Sequence, residues 1–256
     1  MNGAKCASGC DSCSPIAALR SRRSAGSTRS DYVVRFIKRK LAMNLTLHYN
    51  VASTYSQKAL LAFFEKGVPF TPAVVNLQDP AGRAEYKKLY PMGKIPLLTG
   101  DGIFIPESSI IIEFLENEFP DAGTRLIPLD KTAARRVRFK DRVTDLYLND
   151  PVASIFFDGL KPPEARNPEA VAKARETINM SYAYMEDALS KNPAAGGADF
   201  NMSDCAAFAP LFYAQRLHPF QTYPNIVAYF GRLMARASVQ KLMIELLPAL
   251  ERFNTK

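Results

Sequence analysis

From Leu45 onward the chain shows clear patterning of apolar and polar positions. Leu45-Thr46-Leu47-His48-Tyr49 alternates with a period of two and is β-prone, which predicts a strand. Ser56 to Lys66 carries Leu60, Phe63 and Phe64 at helical spacing, and Gly67 and Pro69 supply a stop signal. Phe70 to Leu77 reads as a second strand and Glu85 to Tyr90 as a short helix. Pro96 to Leu98 and Ile103 to Ile105 flank Gly100-Asp101-Gly102, a hairpin signal. Glu107 to Phe119 is predicted helical, with Ile111, Phe114 and Leu115 on one face. The order βαβ-α-ββα with unequal spacing suits a small mixed sheet rather than a doubly wound one. Pro120 to Asp130 reads as a linker. Beyond it helices are predicted over Lys131–Leu148, Pro168–Ser190, Ser203–Arg216, Asn225–Arg236 and Val239–Leu247, with no strand alternation. The expected fold class is therefore α/β plus all-α, with an α/β domain over 43–122 and an all-helical domain over 130–256.

Composition changes this picture mainly before residue 43. The net charge is +8, yet residues 1–42 carry nine basic residues against Asp11 and Asp31, so the rest of the chain is near neutral. A nucleic-acid binder needs its basic stripe on the folded surface, so no nucleic-acid partner is expected. Residues 1–42, rich in Ser, Arg, Ala and Gly, are expected to be a disordered basic extension. Met43 as the natural start, a targeting peptide and an interaction arm remain open readings of it. Cys6, Cys10 and Cys13 read as free thiols there, and with Cys205 they make no disulfide framework, so a reducing, cytoplasmic location is expected. No apolar run approaches the ~20 residues that cross a bilayer; no membrane partner is expected.

Three short patterns carry candidate chemistry. Ser53-Thr54-Tyr55-Ser56 lies where the first strand gives way to the first helix. A helix start directs N–H groups and positive potential at an anion, and a hydroxyl there can donate to a thiolate. Alone, such a serine is an N-cap. Gly93-Lys94-Ile95-Pro96 precedes a strand, and X-Pro steps account for nearly all cis peptides. A cis bond would turn the Ile95 N–H and C=O outward to pair with an extended peptide; the plain alternative is a trans proline opening an edge strand. Pro106-Glu107-Ser108-Ser109 opens a helix, where Glu107 can take an ammonium and Ser108 with the helix N–H groups a carboxylate. Lys94 can pair with a second carboxylate. Together the three read as a site for a small thiol peptide with a free carboxylate. Further along, Asn201 and Asp204 spell a capping box, with Phe200 and Cys205 as its staple, and are read as structural. His48 is expected to face out of its strand, His218 to sit at a helix end, and Met185, Met202 and Met234 to fill the core.

The run from Leu45 to the C-terminus, everything but the extension, resembles a cytosolic-type glutathione transferase of serine type, bacterial-like. Pro106-Glu107-Ser108-Ser109-Ile110-Ile111-Ile112-Glu113-Phe114-Leu115 is especially close to that family's pattern, while Tyr90 stands where the family usually has Asn. The resemblance implies a thioredoxin-like N-terminal domain, a helical C-terminal domain and a homodimer. It implies glutathione as co-substrate, held by Lys94, Ile95, Pro96, Glu107 and Ser108, without a metal. Its partner would be a small, apolar electrophile attacked by the activated thiol. Ser53 matches the catalytic hydroxyl of the serine classes; Ser56 by a shifted alignment, and Tyr49 by analogy with the tyrosine classes, stay open. The serines stand where thiol-transferring relatives have cysteine, so conjugation is expected over disulfide exchange. The alternative function is a non-catalytic protein-binding module of the same fold. The energetics suit a serine. Lowering a thiol pKa by about two units takes about 2.7 kcal/mol. A hydrogen bond to a charged group supplies about 1.5–3 kcal/mol and a helix N-terminus roughly 0.3–1 kcal/mol.

Overall fold

A computed structural model describes residues 43–254, and the expectations for residues 1–42 lie outside them. Strand β1 (Thr46–Tyr49) leads through α1 (Thr54–Lys66) to β2 (Thr71–Val74), then through α2 (Pro80–Leu89) to the hairpin β3 (Leu97–Gly100) and β4 (Ile103–Pro106). The four strands form one mixed sheet in the order β2-β1-β3-β4. β1 runs parallel to β2, and the β1–β3 and β3–β4 pairs are antiparallel. This is the small mixed sheet that the patterning predicted and the thioredoxin-like arrangement that the resemblance implied. The β3–β4 turn places both Asp101 (φ 44°) and Gly102 (φ 80°) in the left-handed region, as a two-residue hairpin turn of matching twist requires. α1 ends at Gly67, whose φ of 63° is open to glycine without strain.

Helix α3 (Ser108–Glu118) closes this half, and the rest of the described chain is helical: α4 (Lys131–Thr144), a π turn over Asp145–Asn149, α5 (Asp150–Gly159), a 3-10 turn over Pro163–Ala165, α6 (Pro168–Ser190), α7 (Met202–Leu217), α8 (Pro224–Met234) and α9 (Ala237–Asn254). None of the described helices is long and apolar enough to cross a membrane.

Several boundaries differ from the sequence reading. β2 is only four residues and largely exposed, an edge strand that tolerates Pro72. α2 begins at Pro80, five residues before the expected Glu85, because Asp79 caps it by accepting from the Gly82 N–H at 2.8 Å and Pro80 fits the first turn. α5 was not anticipated: the helix expected to end at Leu148 runs on without a break through the π turn, and Pro151 follows directly on that wider turn. α9 runs on through Pro248 to Asn254.

The core is one large cluster that spans both halves, with a small second one of Val75, Tyr86 and Leu97 beneath α2. α1 supplies Ala59, Leu60, Leu61, Ala62 and Phe63, all essentially fully buried, and α7 supplies Cys205, Phe208, Ala209 and Leu211. The two helices pack against each other, so α1 is shared between the sheet and the helical half. α1 also buries two lysines. Lys58 Nζ reaches Asp141 and Asp145 at 2.7 Å each and donates to Ser109 Oγ at 2.8 Å. Lys66 Nζ reaches Glu116 at 2.8 Å. The capping box forms as read: Asp204 accepts from the Asn201 N–H at 2.7 Å while Asn201 Oδ1 accepts from Ser203 N–H at 3.0 Å. Burial holds the Asp204 carboxyl up at about 6, against hydrogen bonds from Tyr229 and the Asn201 backbone. Cys205 is fully buried, and its thiol is pushed well above its ordinary value by burial and the neighbouring Asp204. Met202 is buried, and Met185 and Met234 pack partly buried against the core. His48 does not face open solvent: its Nε2 lies 2.9 Å from Thr99 Oγ1 and its ring packs against Tyr86. His218 caps α7 and stacks on Tyr182.

Candidate active site

Sheet register brings the three sequence patterns to one edge. His48 pairs with Leu97 and Leu97 with Pro106. β3 is antiparallel to both β1 and β4, so the ends of β1 and β4 and the beginning of β3 lie side by side. The turn after Tyr49, the Ile95-Pro96 step before Leu97 and the Glu107-Ser108 step after Pro106 therefore emerge together.

Ser53 caps α1, with extended backbone and its Oγ accepting from the Ser56 N–H at 3.4 Å. That contact uses an oxygen lone pair and leaves the hydroxyl proton to be donated. Ser56 is fully buried, and its Oγ accepts from the Asn50 N–H at 3.4 Å. Tyr49 donates its hydroxyl to Glu245 Oε2 at 3.0 Å, and its pKa rises to about 12 through burial and then through that carboxylate. The Ile95–Pro96 peptide is cis. Pro96 is buried, Ile95 half-buried and Lys94 exposed, with the Lys94 carbonyl accepting from Tyr86 Oη at 2.8 Å. Glu107 is exposed and holds a φ of 72°, a strained value for a residue with a side chain. Ser108 is buried, and no side chain among the described residues caps the helix it opens. α1, α2, α4, α6 and α7 are all capped by a side chain. The first N–H groups of α3 are thus left for an anion.

A cleft of about 950 Å³ opens beside this edge. Ser53 and Ile95 line it, as does Tyr49; Lys94, Pro96, Glu107 and Ser108 are not among its lining residues. Its far wall comes from the helical half: Phe156, Phe157, Tyr213, Ile244, Glu245 and Leu250. Sequence reasoning missed this wall. Phe156 and Phe157 lie on the unanticipated α5, and the only visible signal was aromatic residues at the edge of an apolar run.

Family models for the N-terminal and C-terminal domains of glutathione S-transferase match residues 52–118 and 168–232. The chain belongs to the cytosolic glutathione transferase superfamily. As a superfamily member it is similar to the LigF protein of a Sphingobium strain, at 25% identity over 78% of this chain and 93% of that one. It is similar to glutathione S-transferase A of Pleuronectes platessa at 24%, over 78% and 91%. Among solved structures, a glutathione S-transferase of Methylobacillus flagellatus with GSH bound superposes with a TM-score of 0.68 at 27% identity, covering 78% of this chain and 98% of that one. The pairing of a thioredoxin-like sheet half with a helical half is that of the superfamily.

Proposed function

We infer that this transferase activates glutathione at Ser53 and passes its sulfur to a small apolar electrophile. The observation that carries the reading is the convergence of Ser53, the cis Ile95–Pro96 step and the uncapped α3 start at one sheet edge, beside an apolar cleft. Each part of glutathione has a matching group. The Ser53 hydroxyl donates to the thiolate. The Ile95 backbone pairs with the peptide. The α3 N–H groups and Ser108 take the α-carboxylate, Glu107 the ammonium, and Lys94 the second carboxylate. Thiolate formation releases one proton to solvent; the sulfur lone pair then forms a bond to carbon as the leaving group departs with its electron pair. No metal enters this scheme.

Phe156, Phe157, Tyr213, Ile244 and Leu250 form the surface against which the electrophile packs. Because a solved structure of the Sphingobium relative is described as a β-etherase, an ether belongs among the electrophiles to try. Exposed Ile110 on α3 and Phe139 on α4 flank the Glu113–Arg138 ion pair, a surface suited to cover by a second copy in a homodimer.

The test is the pKa of bound glutathione, read from thiolate absorbance against pH. Ser53→Ala is expected to raise it by about one to two units, equivalent to about 1.4–2.7 kcal/mol, with binding little changed. A shift produced by Tyr49→Phe and not by Ser53→Ala would move the role to the tyrosine.

A further inference from the structure

We propose that Tyr213 is a positioning residue that holds the Ser53 turn in its working geometry. The Tyr213 hydroxyl donates to the Ala52 carbonyl at 2.8 Å, the peptide immediately before Ser53. It also accepts from Gln57 Nε2 at 3.3 Å, and the same nitrogen donates to the Val51 carbonyl at 2.8 Å. The two carbonyls leading into Ser53 are thus both held by side chains. The amides are held as well: Ala52 N–H donates to Asn50 Oδ1 at 3.1 Å and Ser53 N–H to the Asn50 carbonyl at 2.9 Å.

Among these anchors Tyr213 differs in where it stands. Asn50 and Gln57 belong to the end of β1 and the first turns of α1, the two elements that the turn itself joins. Tyr213 lies on α7, a helix fixed by its capping box and by a row of fully buried residues. Its bond fixes the Ala52–Ser53 peptide plane relative to the opposite wall of the cleft. A hydroxyl that must meet a thiolate tolerates displacement of only about 0.5 Å, so the plane of that peptide bears directly on the donor. Burial lifts the Tyr213 pKa to about 12, against the bond from Gln57, so the phenol keeps its proton at neutral pH. The ring itself lines the cleft beside Phe156, 5.9 Å between centroids. One side chain therefore serves the electrophile wall with its ring and the thiol with its hydroxyl.

The inference rests on Ser53 as the thiolate donor, and a double-mutant cycle separates the two claims. Tyr213→Phe keeps the ring and deletes the bond. Alone, it should raise the pKa of bound glutathione by about 0.5 to 1 unit and lower kcat, with glutathione affinity and the electrophile KM unchanged. In a Ser53→Ala background it should shift the pKa no further. Amide exchange across residues 51–56 reads the same anchor without turnover and should speed up in Tyr213→Phe. An unchanged pKa or unchanged exchange in Tyr213→Phe would overturn the role, as would an equal shift in both backgrounds. If Ser53→Ala alone left the pKa unmoved, the serine reading would fall first and this role with it.

Discussion

Tyr49 and Ser53 both line the cleft at the end of β1, but their protons are committed differently. The Tyr49 hydroxyl donates to Glu245, a carboxylate that a thiolate would have to displace. Ser53 Oγ accepts a backbone bond and keeps its proton. Ser56, left open by a shifted alignment, falls on the fully buried face of α1. Sequence alone left the three open for a physical reason. The partner that occupies Tyr49 comes from a helix at the far end of the chain, and which hydroxyl faces the cleft is decided by how α1 packs. The place of Glu107 at a helix start was legible because it depends only on local sequence. Its φ of 72° was not legible, since strain of this kind is set by the strand-to-helix turn. Glu107→Ala is expected to weaken glutathione binding by about 1.5–3 kcal/mol, the range for hydrogen bonds to charged groups, while thermal stability holds because the side chain is exposed. Titration calorimetry with unchanged affinity would place the ammonium elsewhere.

At the scale of elements, α1 joins the two halves through buried charge as well as apolar packing. Lys58 meets Asp141 at the end of α4 and Asp145 in the π turn, with Ser109 Oγ donating to Asp141 at 2.8 Å. Burial raises the Asp145 carboxyl to about 6, opposed by the attraction of Lys58. Removing the cation leaves two carboxylates buried without compensation, so Lys58→Met is expected to cost about 3–5 kcal/mol near pH 8. The sign with pH follows from the raised pKa. A carboxyl that holds its proton more tightly when folded favours folding below its unfolded pKa, and loses that contribution as pH rises through the folded one. Losing Lys58 raises the folded pKa further, so the deficit of the variant should shrink from pH 8 to pH 5. Denaturant unfolding at the two pH values measures it; an equal deficit at both would contradict the account. The sequence showed α1 by its Leu60-Phe63-Phe64 spacing, yet nothing local singled out Lys58, whose partners lie 83 and 87 residues on. α5 was missed because Pro151 is a helix breaker by its chemistry, whereas in the fold the helix continues past it through the π turn just before.

For the whole molecule, the sequence carried the sheet-edge side of the cleft and left the helical side dark. The three motifs are local; the β3–β4 hairpin brings two of them together, and the β1–β3 pairing adds the third to the same edge. The opposing wall is assembled from α5, α7 and α9, whose cleft-facing residues share no local pattern because only docking against the sheet half selects them. The same docking buries Cys205, the one cysteine among the described residues, within the core and with its thiol pushed up, so it offers no nucleophile. The account's central claim is therefore transfer of glutathione sulfur to carbon by a site that uses a serine and no cysteine. It is tested most directly with a chain beginning at Met43, which keeps the whole described core and lacks Cys6, Cys10 and Cys13. Assayed with a panel of carbon electrophiles that includes an aryl ether, and in parallel with a glutathione mixed disulfide, this chain is predicted to form thioethers at a rate that Ser53→Ala sharply lowers, with negligible disulfide reduction. Strong disulfide reduction that persists in Cys205→Ala, or thioether formation indifferent to Ser53→Ala, would contradict it.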